Sequence, residues 1–132
     1  MDLNRTPSEI ASEAAEQVRA LNHRTLDTKV FAQPGDVSDV ANGITTLLER
    51  LPQTLEQLEA GLTQLHHDGR IRLDAKPLAE TSQQDILHEV VTVTSALSEA
   101  RRLLRQAHEA MREAAGPASH MGGLWEDADD EE

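Results

Sequence analysis

Residues 36–69 read DVSDVANGITTLLERLPQTLEQLEAGLTQLHHDG, and their large apolar side chains recur at intervals of three and four. Only a helix gathers such positions onto one face. Asp36 is placed to cap the start of this helix, and Gly69 to take the left-handed conformation that ends it. Pro52 lacks the backbone donor that a continuous helix uses at that position. We therefore expect a kink or a break at Pro52, with nearly collinear helices at about 36–50 and 52–68.

A second long amphipathic segment covers about residues 82–115. Thr81 or Ser82 is placed to cap it, and Gly116-Pro117 is expected to end it. Two helical arms of about 43 Å each, joined by a short connection, predict an antiparallel hairpin. We expect these apolar residues to form its buried seam: Val37, Val40, Ile44, Leu47, Leu51, Leu55, Leu58, Leu62 and Leu65 on the first arm, and Ile86, Val90, Val93, Leu97, Leu104 and Met111 on the second.

A shorter helix precedes the hairpin. Thr6, Pro7 and Glu9 form a capping-box start, and the helix is expected to run over about residues 7–22. We expect it to pack on the hairpin, but it is half as long as either arm, so it can cover only part of it. The sequence thus predicts an all-α domain over residues 1–115, a three- to four-helix bundle, followed by a flexible, disordered acidic tail over 116–132.

The uncovered apolar stripe favours self-association. A second copy of the chain could cover it, which predicts a homo-oligomer, most simply a dimer. The alternative is that residues 23–35 cover the stripe within one monomer.

The chain carries 24 acidic and 12 basic residues, for a formal net charge of −12, and it contains no cysteine. This charge disfavours nucleic acid and anionic membranes as partners. The N-terminus does not resemble a signal peptide, and no segment has the length and apolarity of a membrane span, so a cytoplasmic location is expected.

No motif predicts an enzyme, a cofactor or a metal site. His66 and His67 are adjacent, and adjacent helical residues point about 100° apart, so they cannot close on one ion. Histidines are favoured in the last turn of a helix because a positive charge there stabilises the negative end of the helix dipole. The glutamates lie off the apolar stripes, where a carboxylate stays solvated rather than tuned for acid–base chemistry.

Two segments are candidates for binding a partner. The first is the tail, where Leu124 and Trp125 precede an acidic run; an aromatic side chain can enter an apolar pocket while the acids contact a basic rim. The residues expected to bind a protein partner are Leu124, Trp125, Glu126, Asp127, Asp129 and Asp130. The tail could instead be a solubilising segment.

The second candidate is a basic face on the last helix, which predicts a nucleic-acid-associated regulatory protein as the alternative function. It consists of Arg101, Arg105, His108 and Arg112. The same residues could instead form a solvated face that pairs with acids of their own helix. The preferred function is a non-enzymatic interaction or adaptor protein that presents the acidic tail.

Three stretches, residues 15–26 (AEQVRALNHRTL), 34–37 (PGDV) and 51–58 (LPQTLEQL), resemble small helical actinobacterial proteins without an assigned activity. This resemblance implies a helical fold over roughly residues 6–115 and no catalytic residue. A weaker resemblance is to the secreted helical-hairpin substrates of type VII secretion, with Trp125 in place of the signal tyrosine and no tryptophan at the bend around Gly69.

Overall fold

Three α-helices and two short 3-10 turns make up the part of the chain that the structure, a computed structural model, describes: residues 1–124, with Leu78 described by its backbone alone. The helices are α1 (Pro7–Thr25), α2 (Pro34–His67) and α3 (Gln83–Ala118), and the turns are Thr28–Val30 and Leu78–Glu80. Residues 1–124 contain no strand. The predicted all-α fold is confirmed.

α1 begins with the predicted capping box. The backbone N–H of Glu9 donates to the Thr6 hydroxyl (3.2 Å), and the Thr6 N–H donates to the Glu9 carboxylate (2.8 Å). The helix continues three residues beyond the expected end, to Thr25. His23 and Arg24 are favoured in this last turn because cations stabilise the negative end of a helix.

α2 begins earlier than expected, and the prediction that Asp36 is its N-cap is wrong. Gln33 is the N-cap and Pro34 the first helical residue, a position that suits proline because no backbone donor is needed there. Asp36 lies in the first turn, and its carboxylate accepts hydrogen bonds from the backbone N–H groups of Ala32 (2.8 Å) and Gln33 (3.2 Å). Pro34 and Gly35, which precede the expected start at Asp36, are therefore part of the helix.

α2 is continuous through Pro52, so the predicted break into helices at 36–50 and 52–68 is wrong, while the alternative, a kink at Pro52, stays a prediction. A proline inside a helix removes one hydrogen bond and crowds the preceding turn. Here the Pro52 ring is buried, and this burial offsets part of that cost.

The end of α2 is as predicted. Gly69 has φ +66°, its N–H donates to the His66 carbonyl (3.1 Å), and the Arg70 N–H donates to the Leu65 carbonyl (3.0 Å). These two bonds form a Schellman motif.

α3 starts at the predicted cap, since the Ser82 hydroxyl accepts from the Asp85 N–H (3.1 Å). Its predicted end at Gly116-Pro117 is wrong, because the helix includes both residues and ends at Ala118. A proline this close to the end removes one bond only, and the Ser119 N–H donates to the Ala115 carbonyl (3.1 Å), closing the last turn.

α2 and α3 form the predicted antiparallel hairpin. Arg101 of α3 contacts Glu56 and Glu59 of α2, and further along α3, Arg105 and His108 lie beside earlier residues of α2. α1 is different, because no Cα of α1 lies within 8 Å of a Cα in α2 or α3 and none of its residues is buried. α1 therefore borders the first half of α2 across a cleft and does not pack on the hairpin as closely as expected.

The seam is narrower than predicted. Ile86, Val90 and Ala115 are the buried apolar residues of the described chain, and Ser38 and Pro52 are also buried. Most of the other predicted seam residues are half-buried: Val40, Ile44, Leu47, Leu51, Leu55, Leu62, Leu97, Leu104 and Met111. Four are exposed, against prediction: Val37 (46%), Leu58 (55%), Leu65 (45%) and Val93 (44%). A single partner helix covers only a narrow strip of each arm, so residues at the edge of a wide apolar stripe remain in solvent.

Candidate functional site

The hairpin has two sides with different chemistry. Successive residues of a helix are rotated by about 100° about its axis. Seen along α2 from the half-buried Leu55, Glu56 and Glu59 are rotated by about 40–100° in one direction. Leu58 and Leu65 are rotated by about 60–80° in the other direction. On α3, Arg101 and Arg105 lie about 40–80° to one side of the half-buried Leu97, whereas Val93 and Leu103 lie about 40–120° to the other.

The two helices are antiparallel, so residues displaced in the same rotational sense lie on the same side of the hairpin. Arg101 and Glu59 share that sense, and their contact confirms the assignment. We call the side with Glu56, Glu59, Arg101 and Arg105 the charged side. The side with Leu58, Leu65, Val93 and Leu103 is the apolar side.

An ion pair between α2 and α3 is the centre of the charged side. Arg101 Nη2 lies 2.9 Å from Glu59 Oε2, and Arg101 Nη1 lies 4.0 Å from Glu56 Oε1. The side chains of Arg101 and Glu59 are only 19% and 23% exposed. Arg101 Nε and Glu59 Oε2 are both buried without an aligned hydrogen bond, so the attraction is mainly Coulombic.

The remaining predicted basic residues are distributed along the same side. Arg105 and half-buried His108 border an open cleft of about 630 Å³ with Glu49, Pro52 and Glu56 of α2. Arg112 is exposed farther along α3. Arg101 would have to leave the glutamates of α2 in order to contact a phosphate. Binding of nucleic acid by this face stays a prediction.

The sequence left open that the arginines of this face pair with acids of their own helix. The pair that the structure shows within α3 is a different one, that of Arg102, which was not part of the predicted face and whose Nε and Nη2 donate to Glu99 at 2.8 and 2.5 Å. These bonds lower the pKa of Glu99 and raise that of Arg102. The contact between Arg101 and α2 was missed because it depends on the register of the two helices, which their separate periodicities do not define.

α1 lies beside the first half of the apolar side and leaves the second half open. An apolar cleft of about 380 Å³ separates α1 from the first half of α2 and is lined by Ala14, Gln17, Val18, Leu21, Val40, Gly43, Ile44 and Leu47. The stripe of Val40 and Leu47 continues at Leu58 and Leu65 in the second half of α2, beyond this cleft. The sequence predicted that a short first helix leaves part of the stripe uncovered, but it assigned Leu58 and Leu65, which are exposed, to the buried seam.

α3 contributes apolar residues to the same uncovered region. Val93 is 44% and Leu103 49% exposed, with the small residue Ala96 between them. A methyl group added at Gly61 of α2 would meet nothing within 4 Å, so the surface is open there. Within segments 51–65 and 90–104, Glu56, Glu59 and Arg101 face the charged side. Glu99 is the charged residue that adjoins these apolar side chains, three residues after Ala96 and four before Leu103, and its carboxylate is paired with Arg102.

The tail residues expected to bind a partner lie mostly outside the described part of the chain. Leu124 is 95% exposed, and Gly123 before it is buried. Trp125, Glu126, Asp127, Asp129 and Asp130 are outside the described residues, so their role stays a prediction.

The connection between α2 and α3, residues 68–82, forms an ion pair with the first turn of α3. Lys76 Nζ lies 3.1 Å from Asp85 Oδ2. This hydrogen bond, together with those from Ser82, lowers the pKa of the Asp85 carboxyl below its ordinary value. The ionised carboxylate thus both caps α3 and holds the connection.

Within residues 1–124 no group of three metal-ligating side chains was found, and none of the helices described is long and apolar enough to cross a membrane. No protein-family model matches the chain, and comparisons with curated proteins and with solved structures give no match.

Proposed function

We propose that this chain is a cytoplasmic, non-enzymatic protein–protein interaction module that self-associates through the hairpin and recruits a second protein through its acidic tail. The observation that carries the proposal is the amount of apolar surface that the helices expose. Among the described residues no side chain is fully buried, and many large apolar side chains are at least 37% exposed.

The accessible surface supports the same proposal. It is 10667 Å² for a mass of 14.5 kDa. A compact protein of that mass exposes about 6,900 Å². Even if the last eight residues were counted as fully extended chain, they would account for only about 1,400 Å², leaving an excess of about 2,000 Å² or more. A partner that covers apolar surface would supply the burial that a single copy lacks.

The tail proposal rests on the sequence and on the position of Leu124. Six of the last seven residues are acidic, and Trp125 is the only tryptophan. Leu124 enters this segment almost fully exposed. A tryptophan that enters an apolar pocket, with carboxylates around it, suits a partner that has a basic rim.

The test compares Trp125→Ala with Met121→Ala, an exposed apolar residue (57%) four positions earlier. Each full chain is immobilised, and retained cellular proteins are identified. We expect at least one protein to be retained by the wild type and by Met121→Ala but lost from Trp125→Ala, and its purified form to shift the Trp125 fluorescence to shorter wavelength. Identical retained sets for all three chains would reject the tail as the recruiting segment.

A further inference from the structure

From the exposed apolar side we infer that a second copy of this chain docks on the distal half of the hairpin, with α2 antiparallel to α2 of the other copy. We call the docking surface the distal patch and define it as Leu58, Gly61 and Leu65 of α2 with Val93, Ala96 and Leu103 of α3. This inference deepens the proposed function, on which it rests, by naming the surface, the occupant and the register.

The distal patch has the properties of an interface rather than of a solvated helix face. Its large side chains are 44–55% exposed and adjoin the half-buried Leu55, Leu62 and Leu97. It continues the stripe that α1 borders nearer the start of α2. A standard dimer buries about 800 Å² per partner, well within the excess surface that each chain exposes.

Charge favours a second copy as the occupant. The chain has a net charge of −12, so two copies repel unless they meet where acids are absent. The distal patch comes closest to this, because the glutamates of this part of α2 face the charged side and the acid that adjoins the patch on α3, Glu99, is paired with Arg102. An isologous contact needs a surface that complements itself, and an uncharged apolar patch does so.

The ends of the patch carry opposite charges in matching positions. Arg50 precedes the patch on α2 and Asp68 follows it, and both are exposed. They are 18 residues apart, which is about five turns at 3.6 residues per turn, so they occupy the same rotational position on α2. When two α2 helices cross antiparallel about residue 59, Arg50 of each copy comes beside Asp68 of the other.

α1 agrees with this register. It borders α2 at residues 40–47, so another helix can overlap α2 only beyond that point. An overlap from Arg50 to Asp68 begins just after it. The two-fold arrangement places the two α1 helices at opposite ends, where they do not collide.

Two sets of variants test the inference by sedimentation equilibrium of the full chain, with far-UV circular dichroism as a check of folding. The first set is a matched pair. Val93→Glu changes the distal patch, whereas Val91→Glu changes a valine of similar exposure (51%) on the charged side. We expect the wild type to have a mass of twice 14.5 kDa at micromolar concentration. Val93→Glu should raise the dissociation constant at least tenfold and Val91→Glu less than twofold, both with unchanged helicity.

The second set tests the register. Arg50→Asp and Asp68→Arg should each weaken the dimer several-fold because each places like charges together, and the double variant Arg50→Asp/Asp68→Arg should restore it. A double variant as weak as the singles would overturn the antiparallel register. Equal effects of Val93→Glu and Val91→Glu, or a monomeric wild type at about 100 μM, would overturn the docking surface itself.

These failures are distinct from failure of the proposed function. A monomeric chain that still loses its partner on Trp125→Ala would reject the dimer and keep the interaction module. A dimeric chain that retains no protein through Trp125 would keep the dimer and reject the recruitment of a partner by the tail.

Discussion

The two sides of the α2–α3 hairpin differ in how the side chains beside the seam are covered. On the charged side, Arg101 spans the helices to reach Glu59 at 2.9 Å, and polar side chains complete the surface. On the apolar side, Leu58, Leu65 and Val93 are left about half exposed, and α1 borders only the first half. On the charged side, the ion pair forms within one chain and needs no second molecule. The apolar side leaves surface that another molecule must cover, which is why we propose association on that side.

The largest effect is expected from a change to the seam that separates the two sides. Leu97 is half-buried between them, and Leu97→Asp would place a carboxylate there without a partner. We expect a loss of several kcal/mol in the free energy of unfolding, or complete unfolding, measured by thermal and urea denaturation. Val91→Asp, on an exposed position, is the control and should change it by less than about 0.5 kcal/mol. Equal melting temperatures for Leu97→Asp and the wild type would contradict the hairpin seam.

An intermediate effect is expected on the charged side. Arg101→Ala leaves Glu59 largely covered and unpaired, so we expect a cost of about 1–3 kcal/mol, less than for a fully buried pair. The double variant Arg101→Met/Glu59→Leu should recover most of that loss, because apolar residues of similar size often replace such pairs without cost. Urea denaturation of Arg101→Met, Glu59→Leu and the double variant gives the coupling energy. Additive losses would mean that the pair does not connect the helices.

Salt should have a smaller effect, of opposite sign on the exposed ion pair of Arg102 with Glu99 and on the proposed dimer. Raising the salt concentration from about 0.05 to 0.5 M screens exposed charges. The difference in unfolding free energy between the wild type and Arg102→Gln should shrink, because Arg102 and Glu99 are exposed. The dissociation constant of the proposed dimer should instead fall a few-fold, because the repulsion between the acidic chains decreases. A dimer that weakens with salt would indicate an interface held by charge rather than by the distal patch.

The smallest effect concerns Asp85, at the end of the hairpin beyond the distal patch. Its pKa is lower in the folded chain than the ordinary value of 3.8. A group with a lowered pKa stabilises the fold above its unfolded pKa, and this contribution is lost as the pH falls through the folded pKa. Asp85→Asn should therefore be slightly less stable than the wild type at pH 7, and the difference should shrink at a pH well below 3.8, as the carboxylate of the folded chain becomes protonated. A difference that is the same at both pH values would exclude ionisation of Asp85 as its cause.

Part of this could be predicted from local rules. The capping box of Thr6 and Glu9, the Ser82 cap and the left-handed Gly69 follow from a few neighbouring residues, and each is found as predicted. The break at Pro52 and the stop at Gly116-Pro117 were wrong for a shared reason. Proline weakens a helix by a limited amount, and in the structure Pro52 and Ala115 are buried, which stabilises the helix on both sides of each proline.

The sequence by itself determined the helices, their apolar stripes and the antiparallel hairpin, because periodicity and capping are properties of residues within one turn or two. The tertiary structure alone decided which edge of each stripe remains in solvent and that Arg101 meets Glu56 and Glu59. These outcomes depend on the rotation and register of one helix against the other. Register is set by packing between residues about 40 positions apart in the chain, and no local pattern encodes it.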